Sequence, residues 1–220
     1  MYQIRKTGIT HPLTYSKYVE NLYVFVICSK IAFTTGEKMK FKDRTKWIFA
    51  ETLIEMAMEK SVEKIQVKEL CERCRAERTT FYYHFRDKYD LIAWIFMQMY
   101  ETEEKQAQVI NGEEMLVRMF RRLWEQRAFF RNAFQDKSQN SLSEYQLEFY
   151  IRIEREALCR YLGVEELDEE TEYTIKQYSY GCLGNTVEWI LGKNDLTPEK
   201  MGYYQYRLMP DILKQAWAGR

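Results

Sequence analysis

Proline is nearly absent from this chain, with three residues in 220 and none between Pro12 and Pro198. Glycine is scarce as well, at nine. These residues normally stop and turn helices, so their shortage argues for a mostly helical protein. Net charge is missing too: 33 Lys/Arg balance 33 Asp/Glu. That excludes a wholly basic nucleic-acid coat but leaves room for a local basic surface. Two histidines cannot supply an all-His metal site. The five cysteines (Cys28, Cys71, Cys74, Cys159 and Cys182) are odd in number and irregular in spacing, which argues against a secreted disulfide framework. Cys71-x-x-Cys74 is the one close pair, and no further ligands stand at zinc-site spacing. It reads either as two small buried helix residues or as a redox switch. No apolar run reaches the ~20 residues of a membrane helix; the most apolar one, Leu22 to Phe33, is short and interrupted by Lys30.

What is present is a chain 46% apolar and 30% charged, enough to build a core. Charge is unevenly placed. Residues 1–42 carry seven Lys/Arg against two Asp/Glu, residues 43–91 ten of each, and residues 92–220 sixteen against twenty-one. A polyanion is therefore expected at the N-terminal end. Arg5, Lys6 and Lys17 before the apolar run allow a signal peptide, but no small-x-small cleavage site follows cleanly. Met39-Lys-Phe-Lys-Asp-Arg-Thr-Lys46 would make a short basic arm before a helix. The expectation is that residues 1–38 are an extension, arising from a misassigned start or poorly packed.

From residue 43 helical spacing dominates. Asp43 suits an N-cap, and Ile48, Thr52, Leu53, Met56 and Ala57 give a helix to about Lys60 one buried face. Val67, Leu70, Cys71 and Cys74 suit a short second helix. Arg75-Ala-Glu77 reads as a tight turn and Arg78 to Phe85 as a third helix, with Phe81 and Phe85 on its inner side. Asp87 caps a long amphipathic helix containing Leu91, Ile92, Ile95, Phe96 and Met99. Two short helices across a three-residue turn, braced by a longer one, are the parts of a helix-turn-helix DNA reader. The face of the third helix offers guanidinium, hydroxyl and methyl groups, which suit base edges and phosphate oxygens.

Residues 44–91, and most specifically Thr80-Phe-Tyr-Tyr-His-Phe-Arg-Asp-Lys88, resemble the DNA-binding segment of TetR-type transcriptional regulators. The resemblance implies groove contacts from Arg78, Thr79, Thr80 and Tyr83. It implies phosphate contacts from Tyr82, His84 and Lys88, supported by Thr45, Lys46, Gln66 and Lys68. The chain departs from the family pattern at the turn, where Arg75 replaces a glycine and Glu77 a favoured serine cap. Arg75 there suggests a strained or altered turn, and the Glu77 carboxylate is expected to accept from the next helix's N–H groups. Gln66 stands where threonine is frequent and Thr79 where glycine is.

Beyond residue 91, helices are expected at about 88–109, 112–122, 124–136, 140–162, 168–192 and 198–217, the last begun by Thr197 as cap with Pro198 at its first position and bent or restarted at Met209-Pro210. In the resembled family this part is a body that binds a small ligand and dimerises through its last long helices. Gly181 and Gly184 allow close approach, and Leu183, Val187, Trp189, Ile190 and Leu191 supply apolar area. The Trp189-x-x-Gly192 and Thr197-Pro-Glu199 pattern resembles the subgroup that includes the dihydroxyacetone-kinase activator. Candidate pocket walls are Phe96, Tyr100, Trp124, Phe134 and Phe149, together with Met99, Met119, Phe130 and Tyr150. Arg118, Arg121, Arg122, Arg127 and Arg131 read as a solvated helix face or an anion reader.

The expectation is thus an all-α protein, with an N-terminal three-helix helix-turn-helix domain (39–91) and a helical effector-binding and dimerisation domain (92–220). It would be a cytoplasmic homodimeric regulator, a repressor by default, binding double-stranded operator DNA and an unidentified small effector or protein coregulator. No membrane partner, cofactor or metal is expected. The alternative is a helical module that binds a protein partner and has lost DNA binding, favoured only by the altered turn. No nucleophile–base pair, phosphate-binding glycine loop or metal spacing suggests an enzyme.

Overall fold

The computed structural model describes residues 41–106, 112–136 and 142–218, so the expectation for residues 1–38 lies outside them. Contacts divide the chain after Arg44, and the unit from Thr45 to Arg220 is the one followed below. The described residues form helices joined by turns and short loops, with no strand among them. The helices are α1 (Phe41–Glu59), α2 (Val67–Cys74), α3 (Arg78–His84), α4 (Lys88–Gln106), α5 (Gly112–Glu125), α6 (Arg127–Gln135), α7 (Leu142–Leu162), α8 (Glu169–Leu191), α9 (Pro198–Arg207) and α10 (Asp211–Ala218), with a 3-10 turn at Val62–Lys64. None of them is long and apolar enough to cross a membrane.

The helix ends follow local chemistry. Asp168 accepts from Thr171 N–H at 2.8 Å and caps α8. Gly192 closes the same helix in the left-handed region (φ 81°), with Lys193 N–H on Glu188 C=O at 3.0 Å. Thr197 caps α9 with Pro198 behind it, as its sequence suggests. The final segment does restart at Pro210, which lacks an N–H and accepts instead from Leu213 and Lys214 as α10 begins. The break between α5 and α6 falls at Gln126 rather than at residue 123.

Two cores result. In the head, Phe49, Leu53, Met56, Leu70, Phe81 and Phe85 bury the faces that α1 to α3 turn to one another. Phe81 meets Phe49 edge-on at 5.2 Å. Arg73 on α2 makes a two-pronged ion pair with Glu59 at the end of α1, at 2.8 and 2.6 Å. In the body, Phe96 on α4 lies among Phe130, Phe149 and Tyr150, each about 6.1 Å away between ring centres. α9 packs along α5 and needs Gly202 to do so: a Cβ there would sit 2.6 Å from the Val117 backbone.

Head and body are joined by α4 and by side chains. Asn132 on α6 accepts from Val62 N–H at 2.9 Å and donates to the carbonyls of Ala57 at 2.9 Å and Lys60 at 3.0 Å. The body thereby finishes the C-terminal end of a head helix. Tyr145 on α7 donates to Asp87 at 3.2 Å, and the Arg86 guanidinium lies 4.8 Å from the Tyr145 ring centre. Tyr89 donates to the buried Asp136 carboxylate.

Candidate nucleic-acid interface

The turn before α3 sets how that helix is presented. Arg75 ends α2 at φ 52°, ψ 42°, the one non-glycine positive φ among the described residues. Its N–H donates to Glu72 C=O at 3.2 Å and that of Ala76 to Cys71 C=O at 3.0 Å. The turn is therefore a left-handed helix cap carrying a Cβ where glycine would be strain-free. Glu77 stands at the N-cap of α3 but makes no side-chain capping bond, contrary to the expectation for its carboxylate. Its backbone carbonyl accepts from Thr80 and Phe81.

On α3, Phe81 is fully buried while Tyr82 and Tyr83 are 49% and 66% exposed. Arg78 and Thr79 are exposed as well. The period of the helix explains the tyrosines: Phe81 and Phe85 anchor the inner side, so the two residues that follow Phe81 face outward, while Arg78 and Thr79 stand in the open first turn. Arg78 donates to the Tyr82 hydroxyl at 3.3 Å, and its guanidinium lies 5.7 Å from that ring's centre, which pre-orders both side chains. Thr80 and His84 are half-buried on the flanks, with the His84 ring 5.0 Å from that of Tyr83.

The supporting residues divide. Gln66, at the N-cap of α2, and Lys68 are exposed beside α3, with Lys68 3.9 Å from Glu72. Thr45 and Lys46 are half-buried on α1; the Lys46 ammonium lies over Phe85 (5.9 Å) and Trp94 (5.5 Å). Lys88 is placed differently from the phosphate role drawn from the resemblance. Its ammonium donates to the carbonyls of Val62 (2.7 Å), Glu63 (2.8 Å) and Ile65 (3.0 Å). An ammonium has three protons, and here each has a protein acceptor. Sequence reasoning missed this tie and that of Asn132, because the partners are more than twenty residues away and are backbone atoms with no residue signature.

Cys71 and Cys74 are free, and burial raises both thiols above their ordinary range. That is the chemistry of inert helix residues rather than of a thiolate switch.

In the body, Phe96 and Tyr100 line a cavity of ≈ 50 Å³. Phe149 stands behind them at 6.1 and 5.2 Å and faces a separate groove of ≈ 370 Å³ beside Lys46, His84, Trp94 and Tyr145. Two expected walls stand apart from these spaces. Trp124 stacks on Trp189 at 4.9 Å beneath Arg127, which lies 4.2 Å from its ring centre. Phe134 is buried on α6 and lines neither space. The arginine cluster is dispersed: Arg118 pairs with Glu114, Arg121 with Glu199, and Arg127 donates to Ile190 C=O.

On α8, Gly181 and Gly184 are exposed, and a Cβ at either would meet nothing within 4 Å. Val187 and Leu191 are half-buried. Leu183, Trp189 and Ile190, expected to add outward apolar area, point into the core instead. The outward area comes from Tyr173, Tyr180, Tyr204 and Leu208; Tyr173, Tyr204 and Leu208 line a groove of ≈ 640 Å³ between α8 and α9.

Known proteins match both parts of the chain. Residues 51–95 match the model of bacterial regulatory proteins of the tetR family, and residues 110–211 match a transcriptional regulator C-terminal region. Among solved structures the chain is similar to a dihydroxyacetone kinase operon activator, DhaS, at a TM-score of 0.53 and 18% identity, covering 77% of this chain and 96% of that one. No curated protein matches the sequence. With one match on the reading head and another on the body, the chain belongs to the TetR family of DNA-binding transcriptional regulators.

Proposed function

We propose that this regulator works as a cytoplasmic homodimer whose two α3 helices read a near-palindromic operator, and that an effector in the body alters its affinity. The division into a reading head (39–91) and an effector and dimerisation body (92–220) belongs to this reading. One observation carries it: Arg78, Thr79, Tyr82 and Tyr83 form an outward strip on a seven-residue helix whose opposite side is locked by Phe81. Arg78 and Thr79 suit base edges, and the two tyrosines suit phosphates and groove walls. Gln66, Lys68, Thr45 and Lys46 flank the strip, while Thr80 and His84 border it. Lys88 supports it by holding the 3-10 turn.

Dimerisation through α8 and α9 is supported by the open glycines Gly181 and Gly184, next to exposed tyrosines. Two such heads would occupy half-sites about 34–36 Å apart. Repression is the default sign. The name of the similar structure favours activation as a second reading.

A gel-shift with DNA flanking the gene tests the reading. The expected result is saturable, salt-sensitive, sequence-selective binding that is lost in Arg78→Ala and Tyr83→Ala. Equal binding by the wild type and both variants overturns the groove assignment. A reporter driven by the bound DNA gives the sign.

A further inference from the structure

A cavity of ≈ 50 Å³ lies among α4, α5, α7, α8, α9 and α10. Phe96, Met119 and Leu123 supply its apolar wall. Glu154, Ser179 and Cys182 bring polar groups to it. The Ser179 hydroxyl is fully buried and has no hydrogen-bond partner. A buried hydroxyl left this way is costly, by about as much as the loss of a whole hydrogen bond. Glu154 is 4% exposed, and its Oε2 accepts from the Trp217 indole N–H at 2.7 Å. Burial pushes the Cys182 thiol up to about 12, so it is a neutral wall at pH 7.

We propose that this cavity is a binding site for a small uncharged molecule with hydroxyl-like groups that both donate and accept hydrogen bonds. The proposal rests on the reading that the body takes an effector, and it names the effector's chemistry. The volume corresponds to about four water-sized positions, which limits the ligand to a handful of non-hydrogen atoms. A donor on the ligand meets Glu154, and an acceptor on it takes the Ser179 proton. An anion would face the Glu154 carboxylate with no Lys, Arg or His among the lining residues. An ammonium has no acceptor for the Ser179 hydrogen. Access is short: Tyr178, Cys182 and Gln205 line both this cavity and the α8–α9 groove, so the wall between them is a single layer. Tyr178 donates to the Gln205 carbonyl at 2.9 Å, and Gln205 Nε2 donates to Cys182 C=O at 3.2 Å and to Thr186 Oγ1 at 3.1 Å, bonds that hold the layer shut.

The test uses full-length protein with 13C-methyl-labelled methionine. Met119 lines the cavity and reports on its filling; its resonance is assigned with Met119→Leu. Ethylene glycol and acetamide are titrated to about 100 mM, a range that suits ligands of so few atoms, beside ethylammonium and acetate. The expected result is a saturable Met119 shift with a neutral probe and none with the charged ones. Ser179→Ala weakens that binding about tenfold or more, and Ser179→Val, which fills the space, abolishes it. Circular dichroism confirms that each variant is folded; if the valine variant is not, the alanine variant decides. A Met119 signal unmoved by both neutral probes, tighter binding of either ion, or unchanged binding by Ser179→Ala overturns the proposal. A gel-shift on the same samples separates the two readings. Selective DNA binding with a silent Met119 sinks the cavity alone, and a saturable shift without DNA binding sinks the operator reading alone.

Discussion

At the scale of single residues, the head holds one unfavourable conformation and one concentrated interaction. Arg75 occupies a left-handed position at a cost of about 1 kcal/mol relative to glycine. Arg75→Gly should therefore raise stability by about that amount in thermal or urea unfolding, and an unchanged midpoint would show that the guanidinium repays the strain. Lys88 makes the opposite kind of contribution. Lys88→Met leaves the Val62, Glu63 and Ile65 carbonyls without its ammonium, and unfolding should become easier by about 1–3 kcal/mol. The salt dependence of DNA binding distinguishes this role from a phosphate contact. In Lys88→Met the log–log slope should match the wild type, whereas loss of a true phosphate-binding lysine reduces it by about 1. The outward strip on α3 was legible beforehand, because Phe81 and Phe85 four apart fix which way Arg78 and Tyr83 point. Lys88 was not, since a lysine at a helix start looks the same whether it faces phosphate or the protein's own carbonyls.

At the scale of helices, close approach decides which glycines matter. Gly202 lets α9 lie against the backbone of α5, with a would-be Cβ only 2.6 Å from Val117 N and Cα. Backbone atoms cannot swing aside as a flexible side chain can. Gly202→Ala should therefore cost about 2–3 kcal/mol despite alanine's better helix propensity, read as a lowered denaturant midpoint. A midpoint at or above the wild type would show that α9 slides along α5 without penalty. Several helix bounds were readable from caps and apolar spacing, notably Thr197-Pro198 and the break at Pro210. The pocket walls were less so. Trp124 and Phe134 have the same helical spacing as Phe96 and Tyr100. Which aromatic borders a void and which packs solidly depends on neighbours from other helices, and one strand of text does not contain them.

At the scale of the whole molecule, α8 presents bare backbone at Gly181 and Gly184 with exposed tyrosines around it. A Cβ at Gly181 or Gly184 meets nothing within 4 Å, so in Gly181→Leu with Gly184→Leu the fold should hold and its melting temperature stay near wild type. Light scattering at micromolar concentration should then report monomer for the variant and dimer for the wild type, with operator affinity falling together with dimerisation. A variant that remains dimeric would move the interface elsewhere. The division of labour between head and body is also less clean than their separate sequence patterns suggest. Asn132, far along in the body, supplies the amide that completes the end of α1 through Ala57, Lys60 and Val62. For anyone exchanging heads among relatives to reprogramme a genetic circuit, the graft boundary therefore lies not at a point in the chain but at an amide some seventy residues downstream, which must travel with its head.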